Sequence, residues 1–145
     1  MSTATNERLK LANGASTNGH WTRTEATDHY DVARWGQGYF SVSDAGHMQV
    51  HPSRDAARAI DLKKLVDRLD LRGLSAPILI RFPGILQHRL GEIHDAFQQA
   101  ISQNQYSGKY VCVYPIKVNQ QRQVVQEVME FGRQYGFGLE AGSKP

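Results

Sequence analysis

The sequence predicts an α/β fold: the start of a (β/α)8 TIM-like barrel, preceded by a β-hairpin. Three observations carry this reading. From Ile60 onward, segments of helical period alternate with short continuous apolar runs, the pattern of helices crossing over a parallel sheet. The two complete runs end on proline, Pro83 and Pro115, and have the look of strands buried on both faces. Ahead of them, "YFSVS" and "HMQVH" alternate with a period of two around a glycine-containing turn.

Composition sets the outer limits. A chain of 145 residues with 40% hydrophobic content can bury one ordinary domain and is not a wholly disordered polymer. No apolar run approaches the roughly 18 to 20 residues that span a bilayer, so no membrane partner is expected. The single cysteine, Cys112, excludes an intramolecular disulfide framework and any CxxC metal or redox motif. That usage fits a reducing compartment, and a cytoplasmic location is expected. The net charge of +3 comes without a basic stripe. Lys63, Lys64 and Arg68 interleave with Asp61, Asp67 and Asp70, the mark of a solvated helix face with local ion pairs. Nucleic acid is therefore not an expected partner.

Three segments follow in order. Residues 1–29 are rich in Thr, Asn, Ser, Ala and Gly, and read as a flexible N-terminal tail. They lack the apolar core of a signal peptide, and Glu7, Glu25 and Asp28 argue against a transit peptide. Residues 30–58 hold the hairpin, with Phe40 and Val42 facing Met48 and Val50 across Asp44-Ala45-Gly46. No third strand is evident, and a lone hairpin is marginal in water, so it needs a partner from elsewhere. Residues 59–145 hold the alternating part. Leu62, Leu65, Val66 and Leu69 form one helical stripe, which Gly73 can end. "APILIRFP" reads as the first buried strand. Leu86, Leu90, Ile93, Phe97 and Ile101 stripe a second helix. "KYVCVYP" reads as the second strand, with Cys112 a small buried hydrophobe inside it. Val124, Val125, Val128 and Met129 face inward on a third helix, and "FGLEA" begins a third strand.

The right-handed crossover rule places the C-terminal ends of such strands on one edge. Pro83 and the Pro115-Ile116-Lys117 stretch then share a rim, which in barrels of this type is where chemistry happens. A (β/α)8 barrel takes about 250 residues. Fewer than three of its strands fit here, so a truncated chain, inactive as a barrel enzyme on its own, is expected.

Lys117 allows two readings. It can cap the strand and snorkel to water. Alternatively, apolar neighbours such as Tyr114 and Pro115 can desolvate its amine and make it a nucleophile toward aldehydes. Glu140, near the start of the third strand, either faces the same rim and orients Lys117 or is a solvated carboxylate. Asn119 to Arg122 open the third helix, with Asn119 as its N-cap or with the helix start contacting an anion. The histidines do not suggest a metal. His88 and His94 are six apart on different helix faces, and His47 and His51 share a hairpin face without a third ligand.

"YPIKVNQQRQVV" followed by "YGFGLEAGSKP" resembles the biosynthetic arginine decarboxylases, pyridoxal-phosphate enzymes of the alanine-racemase-like fold class. "YDVARWGQGYFSVSDAGHMQV" and "LRGLSAPILIRFPGIL" extend the likeness from about Tyr30 to Pro145. The resemblance implies a (β/α)8 barrel joined to a β-domain, with the hairpin belonging to that β-domain and completed by sequence beyond this chain. It implies that Lys117 binds pyridoxal 5'-phosphate through its ε-amine, and it places Glu140 on the cofactor side of the rim. It implies L-arginine as substrate, agmatine and CO2 as products, a homo-oligomer, and a Mg2+ requirement for which no ligand set is visible. Other basic amino-acid or diaminopimelate decarboxylases of the same class, and a non-catalytic cofactor carrier or binding module, remain the alternatives.

Overall fold

The computed structural model describes residues 21–142. Helix α1 (Arg23–His29) opens on a capping box: the Thr22 hydroxyl accepts the Glu25 N–H at 3.2 Å, and the Glu25 carboxylate accepts the Thr22 N–H at 2.8 Å. These residues fall within the segment expected as a flexible tail, and they form a capped helix instead. The rest of it, 1–20, lies outside the described residues. A short helix α2 (Val32–Gly36) follows, and Trp35 donates its indole N–H to the Tyr30 carbonyl at 2.9 Å.

The hairpin forms in the expected register. Strand β1 (Phe40–Val42) pairs antiparallel with β2 (Met48–Val50), with Phe40 opposite Val50 and Val42 opposite Met48. Gly46, at φ +76°, supplies the left-handed turn position that a side chain would disfavour. The hairpin is not isolated, however. A two-residue strand β3 (Ile60–Asp61) pairs antiparallel with β2. Two residues are too few to show a period of two, and the sequence pattern had given both to the next helix.

Asp61 has two further roles. One carboxylate oxygen accepts the Lys64 N–H at 3.0 Å and caps helix α3 (Leu62–Asp70); the other lies 2.9 Å from His47 Nδ1. Together they hold its carboxyl below the usual range, the Lys64 N–H contributing most. Helix α3 ends as predicted. Gly73 takes φ +77°, and Leu74 N–H reaches back to the Leu69 carbonyl at 3.0 Å. The Lys63–Asp67 pair lies on the solvated face at 2.7 Å.

The predicted first strand does not form. "APILIRFP" runs without strand pairing into helix α4 (Pro83–Gln103). Pro77 and Pro83 remove backbone donors at both ends, and one face is open, Leu79 being 77% exposed while Ile80 and Phe82 are half-buried. A parallel strand needs both faces covered, and this run has one face partly covered.

The next unit is the expected crossover. Strand β4 (Val113–Pro115), helix α5 (Arg122–Gly132) and strand β5 (Gly138–Glu140) form a β-α-β unit, with β4 and β5 parallel and Pro115 opposite Glu140. The strand is shorter than "KYVCVYP" suggested and is not doubly buried. Val111 and Val113 are each 49% exposed, and Cys112 is half-buried.

Two small cores result. Val32, Tyr39, Val42 and Val50 pack between the N-terminal helices and the antiparallel sheet; Leu90, Val128 and Phe137 pack among α4, α5 and β5. Helix α5 ends against Phe137 at Gly132, where an added Cβ would sit 2.7 Å from the Phe137 Cβ. Gly132→Ala is expected to destabilise by about 1–3 kcal/mol through overpacking. That exceeds the gain of about 1 kcal/mol in helix propensity. Denaturant unfolding followed by circular dichroism measures it, and a variant as stable as the parent would show that Phe137 moves aside freely.

Candidate functional site

The parallel register brings the two predicted site residues together. β4 ends at Pro115, and the chain makes one tight turn, Ile116–Val118, that carries Lys117. β5 ends at Glu140, directly across from Pro115. Both side chains therefore lie on the C-terminal edge of the pair, and Lys117 Nζ is 3.9 Å from Glu140 Oε2. Glu140 thus shares the Lys117 rim, and its side chain is also 41% open to solvent.

The environment of Lys117 is that of a side chain reaching water, the first of its two readings. Its side chain is 71% exposed and that of Glu140 41%. Tyr114 and Pro115 are half-buried and do not enclose the amine. An exposed pair of this kind contributes little to stability. Its interest lies in placement: a primary amine on a parallel rim, beside one carboxylate and open to solvent.

Asn119 does not cap the following helix. Gln121 occupies the N-cap position, without a side-chain capping bond. Asn119 Oδ1 instead accepts the Gln121 N–H at 3.1 Å, a side-chain turn that ends the Lys117 loop just before α5 begins. Arg81 donates to the Gln121 side chain from the extended segment ahead of α4. Tyr114 donates its hydroxyl to the Asn119 carbonyl at 3.3 Å.

The residues at the rim fit pyridoxal phosphate as far as its aldehyde is concerned. Lys117 offers an amine that an aldehyde carbon can reach without disturbing a core, and Glu140 stands beside it. They do not fit the Mg2+ that the resemblance implies. Among the described residues no group of three or more His, Cys, Asp or Glu side chains could hold a metal ion. His47 pairs with Asp61, and His51 Nε2 lies 2.7 Å from the Ser41 hydroxyl. An open apolar groove of about 390 Å³, lined by Phe97, Ile101 and Tyr110, lies along the last turns of α4 and includes neither Lys117 nor Glu140.

Sequence reasoning missed a polar cluster that joins the antiparallel sheet to α4. Glu92 accepts from Arg54 at 2.5 Å, from Arg89 at 2.6 Å and from the Tyr39 hydroxyl at 3.3 Å. The same hydroxyl lies 2.7 Å from His88 Nδ1, and the Arg54 guanidinium stacks 4.5 Å from the Tyr39 ring centroid. His88 and Glu92 stand four apart on one face of α4. That spacing is a usable signal, but their partners are 38 to 53 residues away, and no local pattern names them.

The class of site is thus a lysine and a carboxylate on the rim of a parallel β-α-β unit. No family model matches the chain. It is 57% identical over 125 residues to the biosynthetic arginine decarboxylase of Rhodopirellula baltica, covering 86% of this chain and 19% of that protein. It is 46% identical over 136 residues to the biosynthetic arginine decarboxylase of Prochlorococcus marinus strain MIT 9303, covering 94% and 21%. The crystal structure of the biosynthetic arginine decarboxylase SpeA from Campylobacter jejuni superposes with a TM-score of 0.68 at 32% identity, over 79% of this chain and 19% of that one. The chain is homologous to the biosynthetic arginine decarboxylases over most of its own length. It spans about one fifth of the length of these relatives. Among the described residues no helix is long and apolar enough to cross a membrane.

The missed cluster can be read by titration. Burial first, and then the charge on Glu92, push the Tyr39 phenol above its ordinary value. Burial works against the charged form of Glu92, yet the hydrogen bond from Arg89 and the charge of Arg54 hold its carboxyl below the usual range. Glu92→Gln removes the negative charge and leaves both guanidinium groups beside the phenol. The Tyr39 pKa should then fall toward that of a free tyrosine, as followed by ring-labelled NMR. An unchanged titration would show that Glu92 does not act on Tyr39.

Proposed function

We propose that the protein carrying this chain is a pyridoxal-phosphate-dependent carboxy-lyase that converts L-arginine to agmatine and CO2, a step toward polyamines. The observation that carries the proposal is the placement of Lys117 and Glu140 on one parallel rim, in a chain homologous to proteins named arginine decarboxylase. In this reading residues 30–58 contribute to a β-domain, and residues 59–145 form the first part of a (β/α)8 barrel. The antiparallel β1–β2 hairpin and the parallel β4–β5 pair support that division, while β3 carries the antiparallel sheet across the boundary to Asp61. The wider protein would be a cytoplasmic homo-oligomer.

Lys117 would hold the cofactor through Nζ. Glu140, 3.9 Å from that nitrogen, would keep the amine at the rim whenever it is free. With its side chain 71% exposed and unfixed by packing, Lys117 could leave that position for the α-amine of arginine and return to it. When bound, the cofactor supplies an electron sink for the pair left at Cα as CO2 departs. Among the described residues no group of three or more His, Cys, Asp or Glu side chains would hold Mg2+.

Borohydride reduction of the cofactor-loaded protein, followed by peptide mapping, should place a pyridoxyl group on Lys117. A label on Lys109 instead would overturn the assignment. Lys117→Ala should lower decarboxylation by orders of magnitude with little change in melting temperature, because a side chain 71% exposed adds little to a core.

Substrate choice is tested separately. A site that pairs a guanidinium leaves buried acids unpaired when a shorter amine binds, so discrimination of about 10²-fold or more is expected. Agmatine release from arginine should exceed putrescine release from ornithine by that margin in kcat/KM. Equal values would remove arginine from the proposal and leave the lysine chemistry standing.

A further inference from the structure

The loop that carries Lys117 is held by a chain of hydrogen bonds that the proposed chemistry does not account for. Its first link is local: Asn119 N–H closes the turn onto the Ile116 carbonyl at 3.2 Å. The second comes from the strand before it, as the Tyr114 hydroxyl reaches the Asn119 carbonyl at 3.3 Å. The third is the Asn119 side chain accepting the Gln121 N–H at 3.1 Å. The fourth leaves the loop: the Gln121 side chain accepts from Arg81, 40 residues earlier, on the extended segment that leads into α4.

The need for such a frame follows from the exposure of the lysine. A side chain 71% exposed, with one polar contact at 3.9 Å, is not fixed by packing. Its reach is therefore set by where its backbone stands. Tyr114 ties the far side of the turn to β4 at the Asn119 carbonyl, two residues short of Gln121. The far side of the loop, at Gln121, is tied to another part of the molecule by Arg81. Helix α5 gains no side-chain cap from Gln121, which leaves that side chain free to serve the cross-link.

We infer that Arg81, acting through Gln121, is a positioning residue for Lys117. The pair clamps the far end of the loop to the segment before α4 and fixes the lysine backbone relative to Glu140. Arg81 touches neither the amine nor its carboxylate in this role. Reactions that depend on near-attack geometry respond steeply to displacement of the reacting group, so the clamp should be visible in cofactor retention as well as in turnover.

The inference rests on the proposed role of Lys117, and the unsubstituted protein tests that role first. The full-length protein, loaded with pyridoxal phosphate, is compared with Arg81→Ala, Gln121→Leu, the double variant and Gln121→Glu. The readouts are the cofactor dissociation constant from its absorbance, the yield of borohydride label on Lys117 at subsaturating cofactor, and the melting temperature. Arg81→Ala and Gln121→Leu should each weaken retention about tenfold, a conservative share of what misplacement can cost. The double variant should lose no more than either single change, because one contact is broken in all three. Gln121→Glu keeps an acceptor for Arg81 and should hold the cofactor as the parent does, at an unchanged melting temperature. Equal retention in all variants, additive losses, or a Gln121→Glu variant as weak as Gln121→Leu would overturn the clamp. A parent label found away from Lys117 is a different failure. It sinks the lysine assignment before any variant is read.

Discussion

The parallel ladder between β4 and β5 is the constraint on which the site depends. It is only three residues long on each strand. Without it, Lys117 and Glu140 would be 23 residues apart on unrelated loops. What holds the ladder is the return of the chain through α5, and the return is tight at one point. Gly132 lets Phe137 pack against the end of the helix, with no room for a further carbon. Val128 and Phe137, both buried, then pull the helix onto the strand pair. The placement of Lys117 and Glu140 on the rim thus depends on an apolar contact at the opposite end of the crossover from Lys117.

Helix α4 couples this unit to the antiparallel sheet by three close contacts. Gly84 lets the start of α4 pack on Pro52, where an added Cβ would sit 2.8 Å from the proline Cβ. Midway, His88 and Glu92 take up Tyr39 and Arg54. At Gly91 the helix meets the Tyr135 hydroxyl, which an added Cβ would approach to 3.2 Å, and His94 stacks on the same ring at 4.5 Å. Glycine at these positions carries a cost in helix propensity of about 1 kcal/mol relative to alanine. Close approach of neighbouring elements is what offsets it. The polar part of the coupling is directional, since Glu92 takes two guanidinium donors and a phenol at once. It therefore fixes orientation as well as distance.

The parts legible in the sequence were those with a strong local period or a definite stop. Gly73 and Gly136 end elements with positive φ, as their positions suggested. The hairpin register followed from alternation around Gly46, and the order of helix and strand from Arg122 to Glu140 followed from periodicity alone. The parts that failed depend on partners distant in sequence. "APILIRFP" has the composition of a buried strand, but composition cannot supply the neighbour that would cover it. Ile60 and Asp61 became a strand because β2 offers them an edge. The Glu92 cluster draws on three separated segments, and only the four-residue spacing of His88 and Glu92 hinted at it. Lys117 was singled out by its setting after "YVCVYP", and its exposure was one of the two readings open there.

That exposure changes the physical account of the lysine. A desolvated amine would owe its reactivity to apolar walls, and the walls are absent: Val118 is 66% exposed and Leu139 38%. In the proposed reading, then, position within the described residues stands in for burial as the source of selectivity. Lys63, Lys64 and Lys109 are also exposed primary amines, so exposure alone cannot distinguish Lys117. Two features do so. It stands at the C-terminal edge of parallel strands beside a carboxylate from the neighbouring strand, and its loop is tied at both ends. Lys63 instead faces Asp67 one helical turn away, in a solvated pair with no such frame. Covalent capture of an aldehyde is reversible, so what separates a cofactor lysine from a surface lysine is how often the amine meets the same geometry. A fixed loop raises that frequency without any change in the amine itself.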